Sequence, residues 1–237
     1  MDLRAGGCPA FGETVGVSLA SAIRSALGAA ADPTIAPGQQ AYMKSAMPFL
    51  GVRGPEVRRI TRELVREVGV KDAETLAATS RELWDDATHR EERYAASELL
   101  TFTVLRGDWS LVPYLEHIAR TGQWWDHVDG IAKRVAALHD AHPGTTADLV
   151  RRWSTDDDFW VRRLAIISQL GRRDRTDREL LAEVIEPSRE DREFFLRKAI
   201  GWSLRDLAKT DPAWVRAYVE RTDLSPLSRR EALKHLA

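Results

Sequence analysis

The chain has 237 residues and a single cysteine, Cys8. One thiol can form neither an internal disulfide nor a cysteine metal cluster, which indicates a protein of a reducing compartment. No apolar run approaches the about 20 residues that a membrane span needs. Residues 1–15 also lack the apolar stretch of a secretion signal. We therefore expect a cytoplasmic protein.

Net charge is also small, because 35 Lys and Arg residues stand against 36 Asp and Glu residues. This balance excludes a protein that is basic over its whole surface but allows a local basic face. Residues 1–150 carry a net negative charge and residues 151–237 a net positive one. We expect any contact with a polyanion to involve the later part of the chain.

Strand signals are missing, since the sequence has no sustained apolar alternation and no Asn-Gly hairpin turn. Helix-start signals are frequent, which predicts an all-α protein with about a dozen helices. Residues 1–14 are glycine-rich and predict a flexible tail, and residues 32–38 predict a linker. The predicted helix starts are Gly54-Pro55, the Ser188/Asp191 capping pattern before Phe194, Asp211-Pro212 and Ser225-Pro226.

A repeat runs through the helical region. Trp125, Trp160 and Phe195 follow one another at intervals of 35 residues, and each begins a helix with a similar apolar rhythm. This period is typical of HEAT-like arrays, so we expect residues 15–237 to form one HEAT-like solenoid of about six antiparallel helix pairs with a concave binding face. The alternative is a bundle without repeats.

Two helices place unusual residues beside their apolar stripes. In the helix from Trp124, Trp125 and Asp129 share the edge of the stripe. They form either a functional pair or a packed ring beside a solvated acid. In the helix from Phe195, the far face carries Lys198, Trp202 and Arg205. A Trp between two cations suits a phosphodiester backbone, unless the cations pair with acidic neighbours.

Motifs for other chemistries are few. The sequence has no glycine-rich phosphate loop, nucleophile elbow or HExxH motif. A loop with Arg172, Arg173 and Arg175 is either a phosphate contact or a solvated turn. A metal-dependent phosphohydrolase remains an alternative, because His-Asp pairs bind metals. Its candidate ligands are His117, His139, Asp140 and His142.

Several long strings resemble the AlkD family of bacterial alkylpurine DNA glycosylases. They follow the family's order from about residue 38 to the end of the chain. The strings are YMKSAMPFLGVRGPEVRR, RELWDD, QWWDHVD, FWVRRLAI, EFFLRKAIGWSLRDLAKTDP and LSRREALKHL. Residues before 38 match poorly.

The resemblance implies a curved HEAT-like array that grips duplex DNA. It implies catalytic roles for Asp129 and Trp125 beside the deoxyribose. It also implies a supporting role for Arg163 and a third aromatic position at Trp202. Arg205 matches a phosphate-contacting arginine, and Tyr42 matches a tyrosine near the DNA. Lys198 and Arg163 are expected to hold phosphates together with Arg205.

The implied reaction is hydrolysis of N3- and N7-alkylated purines, including bulky adducts, to leave an abasic site. It needs no cofactor and no metal, and we expect a monomeric enzyme. Arg163 and Arg205 are expected to keep the pKa of Asp129 low. Lys133 is expected to form an ion pair with Asp129 one turn away. The remaining alternative is a HEAT-repeat scaffold without catalytic activity.

Overall fold

The computed structural model describes residues 18–236, and these residues form thirteen α-helices and four short 3-10 turns, with no strand among them. The all-α prediction is confirmed. The predicted tail, residues 1–14, lies outside the described residues. The helices are α1 (Leu19–Ala29), α2 (Ala36–Met43), α3 (Gly54–Val68), α4 (Ala73–Asp85), α5 (Arg90–Leu99), α6 (Val112–Gly122), α7 (Trp125–Ala141), α8 (Pro143–Ser154), α9 (Phe159–Ile167), α10 (Arg178–Ile185), α11 (Phe194–Leu207), α12 (Pro212–Arg221) and α13 (Pro226–Leu233).

Most helix starts follow the capping signals. The side chain of Asp211 accepts a hydrogen bond from the backbone N–H of Trp214 at the start of α12. Ser225 accepts one from the N–H of Ser228 at the start of α13. Each side chain satisfies a backbone donor that the first helical turn leaves free.

Two local predictions were wrong. The predicted cap at Ser188 is not used, because Ser188 ends a 3-10 turn and α11 begins at Phe194 behind the capping side chain of Glu193. The predicted linker ends earlier than residue 38, because α2 begins at Ala36. Pro37 occupies its first turn, where the missing N–H of proline costs no hydrogen bond.

The helices form a two-layer helical-repeat solenoid. One row contains α3, α5, α7, α9, α11 and α13, and each helix packs against the next. The helices α4, α6, α8, α10 and α12 alternate with them along the chain and pack on the other side of the row. Five helix pairs from α4 to α13 therefore follow the three N-terminal helices, close to the predicted six. Since each pair reverses the chain, helices of the row run in the same direction.

Apolar stripes on the row helices face the second layer. On α7 the predicted stripe is fully buried from Val128 to Leu138, and on α11 Leu196 and Ile200 are buried as well. Within residues 18–236, no helix is both long enough and apolar enough to cross a membrane.

The 35-residue register differs by one residue at α7. Trp124, rather than Trp125, joins the aromatic cluster of the following repeats, with ring centroids 6.1 Å from Trp160 and 5.4 Å from Phe195. Trp160 and Phe195 are in turn 4.9 Å apart. Trp125 is therefore left free to line the open side of the row.

Candidate active site

Three neighbouring helices of the row, α7, α9 and α11, enclose an open cleft of about 270 Å³. Six of the seven predicted site residues line it, so the structure brings them together from positions up to 80 residues apart. The lining residues are Trp125, Asp129, Arg163, Phe194, Phe195, Lys198, Trp202 and Arg205.

Tyr42 is the seventh predicted residue and does not line this cleft. It lies on α2, and 76% of its surface is exposed. Its contact with DNA stays a prediction.

A bidentate ion pair joins Asp129 of α7 to Arg163 of α9. The Nε and Nη2 atoms of Arg163 donate to the two carboxylate oxygens of Asp129 at 2.9 and 2.8 Å. Nη1 donates to the carbonyl oxygen of Phe195 at 2.6 Å. Only 4% of the surface of Arg163 is exposed. All three nitrogens are already used to orient the carboxylate and α11, so the expected phosphate contact of Arg163 would have to replace one of these bonds and stays a prediction.

The pKa of Asp129 is another correction. Burial raises the pKa of Asp129 above the ordinary value of an aspartate, although the hydrogen bonds and charge of Arg163 act in the opposite direction. The nearby cation alone would lower this pKa, but the loss of solvation on burial outweighs it. The carboxylate is therefore a better proton acceptor than an exposed aspartate would be.

Lys133 does not form the expected ion pair. Within residues 18–236 the carboxylate of Asp129 pairs with Arg163 instead, from a helix 34 residues further along the chain. The exposed Lys133 side chain lines a different cleft. The i,i+4 spacing did not predict the partner, because the guanidinium of Arg163 on α9 can donate to both carboxylate oxygens of Asp129.

The aromatic walls of the cleft are the half-buried rings of Trp125 and Trp202. Behind them, the cluster of Trp124, Trp160 and Phe195 packs between repeats and supports the residue whose carbonyl accepts from Arg163. The aromatic cluster therefore helps to hold the ion pair in place.

The two cations of α11 share a carboxylate that sequence reasoning missed. Glu231 of α13 lies 3.0 Å from the Nζ of Lys198 and 2.5 Å from Nη1 of Arg205. These contacts lower the pKa of Glu231, with the hydrogen bond from Lys198 as the main cause. The alternative that these cations pair with an acidic neighbour is confirmed for this state. No sequence spacing could identify Glu231, because α13 is a separate element.

A second missed group supports the start of α7. Asp126 accepts hydrogen bonds from Nη2 of Arg90 at 2.7 Å and from the hydroxyl of Tyr94 at 2.6 Å. Arg90 also donates to Ser45 in the segment after α2. The network ties α5 and the segment after α2 to Asp126, the residue that follows Trp125.

The histidines proposed as metal ligands do not converge. His117 bonds to Asp85 at 2.6 Å, His139 to Ser168 at 3.2 Å and His142 to the carbonyl of Gly107 at 3.0 Å. In the part of the chain that the structure describes, no three metal-ligating side chains lie together. The ligand set required by the phosphohydrolase hypothesis is therefore not assembled.

A family model and one solved structure point to the same family. The family of DNA alkylation repair enzymes matches residues 23–236. A solved structure from Enterococcus faecalis, described as a predicted DNA alkylation repair enzyme, is 33% identical with a TM-score of 0.76. That match covers 87% of this chain and 97% of the other. No match is found among curated proteins.

Two further solved structures are more distant. The smu.31 protein of Streptococcus mutans UA159 is 17% identical with a TM-score of 0.56, covering 77% of this chain and 98% of the other. The alkylpurine DNA glycosylase AlkC of Pseudomonas fluorescens, bound to DNA with an abasic site analogue, is 18% identical with a TM-score of 0.43. That match covers 92% of this chain and 61% of the other. On the family match and the Enterococcus structure, this chain belongs to the family of DNA alkylation repair enzymes.

Proposed function

We propose that the chain is an AlkD-like, monofunctional DNA glycosylase. Its substrates are duplex DNAs that carry purines alkylated at N3 or N7, and its product is an abasic site. The observation that carries the proposal is the Asp129 carboxylate, held by Arg163 inside a cleft walled by Trp125 and Trp202.

Alkylation at N3 or N7 places a positive charge on the purine, so the base can leave as a neutral molecule without prior protonation. In the reaction the bond between C1′ and the base nitrogen breaks, and its electron pair goes to the base. A water oxygen forms the new bond to C1′ and releases one proton. The protein must therefore stabilise an oxocarbenium-like sugar and position one water.

Asp129 can perform both tasks. Its negative charge stabilises the charge that develops at C1′, and its raised pKa favours acceptance of the water proton. Arg163 holds both oxygens in a fixed direction, which limits reorganisation during the reaction. Arg163 is thus a positioning residue for the carboxylate.

The aromatic walls and the two α11 cations serve binding. Trp125 and Trp202 flank the sugar, where each ring contributes a cation–π attraction of about 0.5–2 kcal/mol to the transition state. Lys198 and Arg205 reach the same cleft and can exchange Glu231 for DNA phosphates. One chain supplies every residue of the cleft, so we propose that a monomer is sufficient.

The composition of the cleft also predicts which lesions are excised. Uracil and hypoxanthine leave as anions unless an acid protonates them. Among the described residues that line the cleft, Asp129 is the sole carboxyl group, and it is needed as an anion. The enzyme should therefore release cationic bases and leave uncharged ones. Because the cleft is open, large alkyl groups should also be accepted.

The test is single-turnover excision from matched duplexes with 7-methylguanine, 3-methyladenine, uracil or hypoxanthine, followed by alkaline cleavage of abasic sites. We expect release of the two methylated bases alone. Asp129→Asn should reduce their release by about 10²–10³-fold while DNA affinity stays nearly unchanged.

A suitable control is Asp86→Asn, which removes an exposed carboxylate at the end of α4, outside the cleft. It should excise like the wild type. Excision of uracil at a comparable rate would reveal an acid that this mechanism lacks. DNA binding without excision of any lesion would favour the scaffold alternative.

A further inference from the structure

A second cleft flanks the C-terminal half of α7, whereas the cleft with the aromatic walls flanks its N-terminal half. Its volume is about 300 Å³, and it is formed by the C-terminal half of α7, the turn at residues 103–106 and the loop after α9. We call it the basic cleft. Its charged lining residues are Arg106, Lys133, Arg134, Asp140, Arg172 and Arg175.

Positive charge in the basic cleft is only partly neutralised. Arg172 and Arg175 both pair with Asp140, the single carboxylate of the lining, at 3.1 and 2.5 Å. Within residues 18–236, the side chains of Arg106 and Lys133 form no ion pair and no hydrogen bond. The cleft therefore has several donors without a protein acceptor.

Arg134 also has a donor without an acceptor. Its Nη1 donates to the carbonyl of Leu100 at 2.9 Å, but its buried Nε has no partner among the described residues. Burial and the like charge of Arg106 together lower the pKa of Arg134. An anion in the cleft would offer an acceptor oxygen to the unpaired Nε, and its negative charge would offset the repulsion between Arg134 and Arg106.

The basic cleft and the Asp129 cleft lie on one face of α7. Trp125, Asp129, Lys133, Ala136 and Asp140 follow at helical spacing, and the two clefts share none of their lining residues. At 1.5 Å per residue, Lys133 is about 6 Å and Asp140 about 16 Å from Asp129 along the helix axis. The grooves of B-DNA are about 6 and 12 Å wide. Both groove widths fall within the axial span from Lys133 to Asp140, so a duplex with its damaged sugar at Asp129 can bring its other backbone to this part of α7.

We propose that the basic cleft binds backbone phosphates of the strand opposite the lesion, with Lys133 and Arg106 as the principal contacts. This inference rests on the proposed function, because it assumes that the damaged strand lies at Asp129. The basic cleft would be a second, separate site, so that the enzyme holds the backbones of both strands and makes few contacts with the bases.

The test measures binding without chemistry. Each duplex carries a tetrahydrofuran abasic analogue in one strand, which we call the lesion strand. Three duplexes are compared: one with all phosphates charged, one with three methylphosphonates in the lesion strand, and one with three methylphosphonates in the opposite strand. Fluorescence anisotropy gives affinity and its salt dependence for wild type, Lys133→Gln and Arg106→Gln. Arg152→Gln is the control, because it removes one exposed arginine from α8 in the other layer.

On the charged duplex we expect Lys133→Gln and Arg106→Gln to bind about three- to tenfold more weakly and to reduce the salt slope by about one. Their defect should vanish on the duplex with a neutral opposite strand and persist when the lesion strand is neutral. Arg152→Gln should match wild type throughout.

A defect that vanishes on the neutral lesion strand instead, or affinities equal to those of Arg152→Gln, would overturn the inference. A wild-type protein that binds none of the duplexes would contradict the proposed function itself. A protein that binds duplex DNA but ignores Lys133 and Arg106 would contradict only the basic-cleft assignment.

Discussion

At the scale of single residues, the candidate site depends on one buried pair. Arg163 neutralises Asp129 and holds both of its oxygens, yet burial still raises the pKa of Asp129. Breaking a buried pair usually costs far more than an exposed one, because the remaining charge keeps its desolvation penalty. The pair therefore links the stability of the α7–α9 contact to the protonation state of the carboxylate that we propose as catalytic.

We predict a pH effect at this pair. The proposed mechanism needs Asp129 as an anion, so the excision rate should fall as pH is lowered through the pKa of Asp129, which lies above the about 3.9 of an ordinary aspartate. Arg163→Lys removes the two-pronged contact that lowers this pKa. The acid limb should therefore move to higher pH, and the rate at its plateau should fall about 10–100-fold.

The measurement is a single-turnover pH profile on a 7-methylguanine duplex, corrected for uncatalysed base loss. DNA affinity should change little in Arg163→Lys, because the guanidinium is buried and its charge is conserved. An acid limb at the same pH in both proteins would show that Asp129 does not set the profile.

At the scale of helices, α13 places a carboxylate against the two cations of α11. Gly201 allows this packing: a Cβ atom at Gly201 would collide with the Cβ of Glu231 and lie 2.9 Å from the carbonyl oxygen of Ser228. The close approach places the Glu231 carboxylate between Lys198 and Arg205. Glu231 thus lies between the two cations that we propose as phosphate contacts.

From this contact we predict that Glu231→Gln strengthens binding to duplexes with or without a lesion, about two- to tenfold at low salt, because phosphates no longer compete with a carboxylate. Glu220→Gln on α12 removes an exposed acid outside the cleft and should have little effect. Anisotropy titrations at two salt concentrations would measure both variants. Weaker binding by Glu231→Gln would mean that the carboxylate positions the cations for DNA.

At the scale of the whole molecule, net charge is −1, so attraction to DNA must come from the arrangement of charge. The row of helices places cations at two clefts, with Lys198 and Arg205 at one and Arg106 and Lys133 at the other. Residues 151–237 were expected to take part in any contact with a polyanion, and Lys198 and Arg205 belong to that part of the chain. The basic cleft takes three of its cations from residues 106–134.

We predict that salt dependence distinguishes these clefts from the rest of the surface. Arg205→Gln should reduce the slope of log affinity against log salt by about one, since one fewer counterion is released. Arg152→Gln, in the other layer, should leave the slope unchanged. Titrations over about 50 to 200 mM salt would measure the slope for both variants. Equal slopes in the two variants would place the DNA elsewhere.

Local sequence signals determined much of this protein. Caps at Asp211 and Ser225 set helix starts, and the 3.6-residue period placed Val128 and Leu138 in the core. The same period placed Asp129 beside Trp125. These features depend on residues within a few turns of each other, so a single stretch of chain contains the required information.

Tertiary packing decided the rest. The partner of Asp129 is Arg163 rather than Lys133, the partner of both α11 cations is Glu231, and burial reversed the expected pKa of Asp129. Each result depends on which helices meet and how much water they exclude. Solvation and contacts between separate helices have no local period, so only the assembled row of helices could determine them.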